Sequence, residues 1–163
     1  MKTKAKIMIV DDAEMNREIL MVILGDEYEY VQAENGRQAI HILQQDMNID
    51  LMLLDINMPE MNGFEVSEKL KANPVTQNIP IIFLTALNTT SDIVKGFKVG
   101  ANDFISKPFN KEELVIRVTH QISLVAAKRI ILRQTEELRK TIMGRDKLYS
   151  VIAHDLRSPM GSI

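Results

Sequence analysis

The stretch Leu51-Met52-Leu53-Leu54 is apolar at every position and is followed directly by Asp55. A strand with one face in water alternates apolar and polar residues, whereas a strand buried on both faces of a parallel sheet does not. Ile7-Met8-Ile9-Val10 has the same uninterrupted apolar character and is followed by Asp11. The two stretches therefore predict central strands of a parallel sheet.

Short apolar runs alternate with longer amphipathic segments as far as about residue 125. The apolar runs are residues 5–10, 28–33, 50–54, 79–84 and 103–106. The segments with apolar residues at helical spacing are 14–24, 36–45, 63–72, 90–99 and 110–125. A strand followed by a helix, five times over, predicts a doubly wound α/β fold with a five-stranded parallel sheet. Right-handed crossovers would place helices on both faces of that sheet.

Composition restricts the class of protein. The chain has 163 residues, of which 45% are hydrophobic, so it can bury one proper core. Its net charge of −2 creates no field that would attract nucleic acid or an anionic membrane. The absence of cysteine excludes disulfides, thiolate metal sites and cysteine nucleophiles. No apolar run is long enough for a signal peptide or a membrane span, so we expect a cytoplasmic protein without membrane or nucleic-acid partners.

Polar residues whose side chains can bind an ion or take part in a reaction follow four of the five predicted strands. They are Asp11 and Asp12 after the first, Asp55 after the third, Thr85 after the fourth and Lys107 after the fifth. In doubly wound sheets, ligands bind outside the carboxyl ends of the strands. Three carboxylates suit Mg²⁺, which prefers oxygen ligands, while a lysine and a hydroxyl can hold the oxygens of a transferring phosphoryl group. The combination predicts a magnesium-dependent phosphoryl-transfer site.

Taken singly, each of these residues has a structural explanation. The aspartate pair could cap the following helix. Thr85 could be a helix cap or a core hydroxyl, and Lys107 could be a solvated charge in an extended segment before Pro108. Their occurrence together at successive strand ends favours the functional interpretation.

Four segments resemble the motifs of response-regulator receiver domains, in the order and spacing typical of that family. They are Ile9-Val10-Asp11-Asp12, Leu54-Asp55-Ile56-Asn57-Met58-Pro59-Glu60-Met61-Asn62-Gly63, Leu84-Thr85-Ala86 and Ser106-Lys107-Pro108-Phe109. The resemblance spans residues 5–125. It implies a flavodoxin-like receiver domain over residues 1–125, with strand order 2-1-3-4-5, that acts in two-component phosphorelay signalling.

The same resemblance implies roles for individual residues. Asp55 would be the phosphoacceptor, taking its phosphoryl group from a phosphohistidine donor protein. Asp12 would bind Mg²⁺ directly, Asp11 would bind it through water, and the backbone carbonyl of Asn57 would be a further ligand. Lys107 would contact the phosphoryl oxygens.

Two further residues would form the switch that the family uses. Thr85 would move toward the phosphate, and Phe104 would follow by changing its rotamer. Because Phe104 lacks the hydroxyl of the tyrosine often found there, a signal through it would be steric. A phosphate adds charge and acceptor oxygens, so it can order the Thr85 loop and shift the helix that follows.

The sequence character changes after residue 125. Residues 128–156 contain no proline and a single glycine, Gly144. Apolar residues at two heptad positions form a seam, interrupted by Lys128, Thr135 and Arg145; its members are Leu124, Ile131, Leu138, Ile142, Tyr149, Ile152 and Leu156. The pattern predicts a long helix, with a coiled-coil linker over residues 126–147 that forms a homodimer. The alternative is a single amphipathic helix that packs against the first domain.

Residues 148–163 resemble the start of the dimerisation and phosphoacceptor segment of histidine kinases. The resemblance is carried by His154-Asp155-Leu156-Arg157-Ser158-Pro159. A neutral imidazole is a suitable nucleophile near physiological pH. His154 would be a second phosphoacceptor, Asp155 would orient it or accept its proton, and Arg157 would contact phosphate. His41 and His120 lack such neighbours and are predicted to be surface residues.

Together these features predict a hybrid histidine kinase fragment, because the 163 residues contain no ATP-binding domain. A stand-alone response regulator that acts by phosphorylation-dependent partner binding is the alternative. A transcription factor would need a DNA-binding domain after the receiver, which residues 126–163 do not provide. A phosphatase of similar topology would need a second aspartate at position 57, which is Asn57. A flavin protein would need a phosphate-binding loop in place of Asp11-Asp12-Ala13.

Overall fold

A computed structural model describes the backbone of residues 4–45, 48–86 and 90–157, and the side chains of those ranges as far as Gly144. The five strands are β1 (Ala5–Val10), β2 (Tyr28–Ala33), β3 (Leu51–Asp55), β4 (Ile81–Thr85) and β5 (Asp103–Ser106). The helices are α1 (Glu14–Leu24), α2 (Gly36–Gln45), α3 (Gly63–Ala72), α4 (Thr90–Lys98) and α5 (Lys111–Arg157). A 3-10 turn at Gly25–Glu27 connects α1 to β2.

The strands form one parallel sheet in the order β2-β1-β3-β4-β5, so the predicted fold class is confirmed. Val10, which ends β1, is level with Leu54 of β3, and Thr85, which ends β4, is level with Ser106 of β5. This register brings the carboxyl ends of four strands to one edge. The polar residues that end or follow these strands therefore lie at this edge.

The two central strands are buried on both faces, which explains their uninterrupted apolar sequences. Met8 and Met52 point into a core shared with α2 and α3, which includes Leu43 and Phe64. Ile9 of β1 and Leu53 of β3 point to the opposite face; the members of that core on α1 and α5 are Leu20, Leu24, Leu114 and Val118. Helices therefore cover both faces, as right-handed crossovers require.

The fourth strand begins later than its apolar sequence predicts. We expected residues 79–84, but β4 runs from Ile81 to Thr85. Pro80 has no N–H to donate to a neighbouring strand. Its carbonyl still accepts a hydrogen bond from the Met52 N–H at 3.0 Å, so the residue lies beside the sheet without opening the strand.

The predicted long C-terminal helix is present. The chain divides into two compact units, Met1–Ser123 and Leu124–Ile163, and α5 begins in the first and continues into the second. In the described part of the second unit the side chains of the seam residues Leu124, Ile131, Leu138 and Ile142 are 46–59% exposed. Their pairing in a coiled coil, and the division at residues 125 and 147, stay predictions. Among the described residues, no helix combines the length and apolarity needed to cross a membrane.

Candidate metal and phosphoryl-transfer site

Three carboxylates and one lysine meet at the carboxyl edge of the sheet. The Lys107 Nζ lies 3.0 Å from Asp55 Oδ1 and 3.2 Å from Asp11 Oδ2. Asp11 and Asp55 are 0% and 1% exposed, whereas Asp12 is exposed. One carboxylate oxygen from each aspartate lies within 4.8 Å of the others. The site is thus closed on the protein side and open to solution beside Asp12.

The electrostatics of this cluster favour the addition of a cation. Burial raises the pKa of Asp55, and the negative charge of Asp11 raises it further, while hydrogen bonds from Lys107 and the Asn57 N–H oppose both effects. Burial alone would lower the pKa of Lys107, but its bonds to Asp55 and Asp11 raise it overall, so the ammonium stays charged. One lysine does not compensate two buried carboxylates. A hard divalent ion bound by oxygens fits this donor set.

Local hydrogen bonds hold Asp11 in place. The Asp11 N–H donates to the carbonyl of Ala33 at 3.2 Å, which extends the β1–β2 pairing by one residue. The Ala13 N–H donates to Asp11 Oδ1 at 2.9 Å, and the Asn16 side-chain amide donates to Oδ2 at 3.3 Å. Asp11 thus supports the turn into α1, but the N-cap residue is Ala13 and no side chain caps the helix, so the capping explanation is not borne out. The Asp11 carboxylate lies in the cluster. The contact with Asn16 was not predicted from the sequence.

Residues 7–119 match the family model of the response regulator receiver domain. The chain belongs to this family. Asp11, Asp12 and Asp55 form the acidic pocket of the receiver domain, and membership implies a partner that donates the phosphoryl group.

Proteins of several kinds are similar to this chain. A putative response regulator from Chloroflexus aurantiacus has a TM-score of 0.70 and 32% identity, over 74% of this chain and 98% of that one. A probable cyclic di-GMP phosphodiesterase of Vibrio cholerae serotype O1 is 36% identical over 160 residues, which is 96% of this chain. A histidine kinase of Formosa agariphila is 36% identical over 117 residues, or 72% of this chain. The chain spans only 36% and 8% of the lengths of those two relatives.

The two expected switch residues of the receiver domain lie beside the pocket and behind it. Thr85 is buried at the end of β4, and its carbonyl accepts a hydrogen bond from the Lys107 N–H at 2.8 Å. The Phe104 ring is half-buried between Phe83 and Phe97, with ring centroids 5.6 Å and 5.1 Å away. Gly96 leaves room for the ring in this position, because a Cβ at residue 96 would overlap the Phe104 ring as it lies here.

The expected residues of the tail are only partly described. His154 and Asp155 lie within α5, whose backbone extends to Arg157, but their side chains lie outside the described residues. Pro159 lies outside them altogether. His41 and His120 of the receiver domain are exposed, as predicted for surface residues.

Proposed function

We propose that the receiver domain transfers a phosphoryl group from a phosphohistidine donor to Asp55. A carboxylate oxygen of Asp55 would attack phosphorus while the bond from phosphorus to the donor's imidazole nitrogen breaks. The imidazole, protonated on its other ring nitrogen, would leave as a neutral group with the electron pair of that bond. The observation that carries the proposal is the buried Asp55 carboxylate, paired with Lys107 at 3.0 Å beside two further aspartates.

The surrounding residues have distinct roles in this proposal. Asp11, Asp12, Asp55 and the backbone carbonyl of Asn57 would hold Mg²⁺, which when bound neutralises charge on the phosphoryl oxygens. Lys107 would exchange its bond with Asp55 for one with a phosphoryl oxygen. Thr85, also at this edge, would donate its hydroxyl to another.

Intact-mass spectrometry after incubation with acetyl phosphate tests the reaction. In Mg²⁺ we expect one phosphoryl group per chain, and in EDTA we expect none. Equal labelling in EDTA would contradict the metal requirement. No labelling in either condition, with a folded protein, would contradict the proposal as a whole.

We further propose that the signal continues along α5 to His154, as in a hybrid histidine kinase with a cytoplasmic receiver. The support is the unbroken helix from Lys111 to Arg157 and the His154-Asp155 sequence within it. An isolated histidine-kinase ATP-binding domain, supplied with ATP, should place an acid-labile phosphate on His154. His154→Gln is the matched control, and equal labelling of that variant would contradict the assignment.

A stand-alone regulator that binds a partner when phosphorylated is the second candidate. One observation favours it: the match to the putative response regulator of Chloroflexus aurantiacus covers 98% of that chain. A regulator of this type would not need His154. Absence of label on His154, together with normal labelling of Asp55, would support it over the kinase.

Mg²⁺ affinity should depend on pH because the metal and a proton compete for Asp55. Since burial raises the pKa of this carboxyl above its usual 3.8, the affinity should begin to fall at a higher pH than for an ordinary aspartate. Below the raised pKa we expect a loss of about tenfold per pH unit, because binding displaces one proton. Calorimetric titrations at a series of pH values measure this, and a flat profile down to pH 4 would contradict it.

The stability of the metal-free protein should change with pH in the opposite direction to the Mg²⁺ affinity. A group with a raised pKa in the folded state binds its proton more tightly when folded, so its contribution is fully present at low pH. In EDTA, the contribution of Asp55 to the free energy of unfolding should therefore decrease as the pH rises from 3.8 through the raised value. Urea unfolding of wild type and Asp55→Asn measures this difference.

Lys107→Ala should separate metal binding from the conformational response. Removing the ammonium 3.0 Å from Asp55 and 3.2 Å from Asp11 removes a charge that repels Mg²⁺, so affinity should equal or exceed that of wild type. The response to phosphate should be lost, because Lys107 links the phosphoryl group to the segment after β5. Backbone NMR shifts that match those of phosphorylated wild type would contradict the linking role.

The long helix should also make the chain a parallel dimer. The exposed seam residues Leu124, Ile131, Leu138 and Ile142 leave apolar area in water, and each side chain that becomes buried contributes roughly 1.5–3 kcal/mol. Sedimentation of residues 1–163 should therefore show a dimer where residues 1–125 show a monomer. If both proteins are monomers at high micromolar concentration, the predicted dimer is contradicted. If both are dimers, the interface lies on the receiver.

A further inference from the structure

Arg17 is a buried cation whose hydrogen-bond partners are neutral. It lies one turn into α1 and is only 7% exposed. Its Nη1 donates to the backbone carbonyl of Asp11 at 2.6 Å, and its Nε donates to the side-chain oxygen of Gln32 at 3.0 Å. Burial of a charge is costly, so an apolar side chain would be the simpler way to pack α1 on the sheet.

The carbonyl that Arg17 binds belongs to the peptide between two aspartates of the acidic pocket. The N–H and the carboxylate of Asp11 are already held by other groups. Asp12, by contrast, is exposed, and among the described residues its carboxylate has no hydrogen-bond or ion-pair partner. The direction of the Asp12 side chain therefore depends on the plane of the Asp11–Asp12 peptide, and Arg17 fixes that plane at its carbonyl oxygen.

We propose that Arg17 is a positioning residue that orients Asp12 toward the metal, an inference that rests on the proposed function. Gln32, on β2, accepts the hydrogen bond from Nε of the guanidinium. This second bond fixes the direction in which Nη1 points. A planar fork can hold two acceptors at set angles, which the single ammonium of lysine does not do. The geometry of the guanidinium, rather than its charge alone, is what the site uses.

Arg17→Lys and Gln32→Leu test the geometric role. Arg17→Lys keeps the charge and should lower Mg²⁺ affinity about 10- to 100-fold, which is typical when a residue that orients a metal ligand is lost. Gln32→Leu removes the oxygen that accepts the Nε hydrogen bond and should give a smaller loss in the same direction. Arg133→Lys, an exposed site on α5, is the matched control and should leave affinity unchanged. Wild-type affinity in both Arg17→Lys and Gln32→Leu would overturn the inference.

A double-mutant cycle with Asp12→Asn distinguishes positioning from general destabilisation. If Arg17 acts through Asp12, Arg17→Lys should cause little further loss of Mg²⁺ affinity in the Asp12→Asn background. Losses that simply add would overturn the inference. Asp12→Asn with wild-type affinity would instead contradict the proposed metal site, so the two failures are distinguishable. Urea unfolding in EDTA confirms that each variant is folded before titration.

Discussion

Asp55→Asn is expected to abolish labelling by acetyl phosphate completely, while the protein stays folded. The amide lacks the nucleophilic carboxylate oxygen, and no other aspartate in the described residues ends a strand opposite Lys107 at 3.0 Å. The fold should persist because burial already disfavours the charged form of this carboxyl, as its raised pKa indicates. An amide oxygen can also keep the hydrogen bond that the Asn57 N–H now donates.

Asp26→Asn is the matched control for this loss. Asp26 is an exposed carboxylate on the turn after α1, so its replacement should leave the labelling unchanged. Intact mass gives the extent of labelling for both variants, and unfolding in urea gives their stability. An undiminished adduct on Asp55→Asn would move the phosphoacceptor to another residue.

Gly63→Ala is expected to destabilise the receiver domain by about 3 kcal/mol and to disturb the site. A Cβ at position 63 would lie 2.5 Å from the backbone oxygen of Asp55 and 2.9 Å from the Cα of Ile56. Both atoms are backbone, so neither can turn aside as a side chain could. The Gly63 N–H also donates to the Ile56 carbonyl at 2.9 Å, which ties α3 to the end of β3. Any shift that relieves the contact therefore moves the segment that carries Asp55.

Gly144→Ala is the matched control for the same chemical change. Gly144 lies in α5, with no atom within 4 Å of the position a Cβ would occupy. This alanine should stabilise the helix by roughly 1 kcal/mol, because glycine is a poor helix former. Denaturant unfolding and acetyl phosphate labelling compare the two variants. Wild-type stability of Gly63→Ala would show that the β3–α3 connection adapts more easily than its geometry indicates.

The sequence predicted the sheet well because its central strands carry a strong signal. Met8 and Ile9 are fully buried on opposite faces of β1, and burial on both faces is what an unbroken apolar run records. The start of β4 was less predictable. Pro80 and Ile79 are as apolar as the strand itself, and hydrogen bonding rather than hydrophobicity sets the boundary.

The acidic cluster was also predictable, because each of its members comes directly after a strand that the sequence predicts. The strands then bring these residues together. Arg17 was missed because a charged residue in an amphipathic helix is usually assigned to the exposed face. A signal was nevertheless present in the spacing. Residues 17, 20 and 24 lie on one stripe of α1, and Leu20 and Leu24 belong to the core. An arginine on an apolar stripe should have suggested a buried polar partner.

The pocket residues lie far apart along the sequence, and this separation has a thermodynamic consequence. Lys107 and Asp55 are 52 positions apart, and Asp11 comes from yet another strand, so the unfolded chain has no site at all. A cation that binds only the folded form stabilises it by mass action, by about 2.7 kcal/mol at a hundred times its dissociation constant. The melting temperature of the protein thereby becomes a measure of how fully the pocket is loaded, without any need for a reporter group.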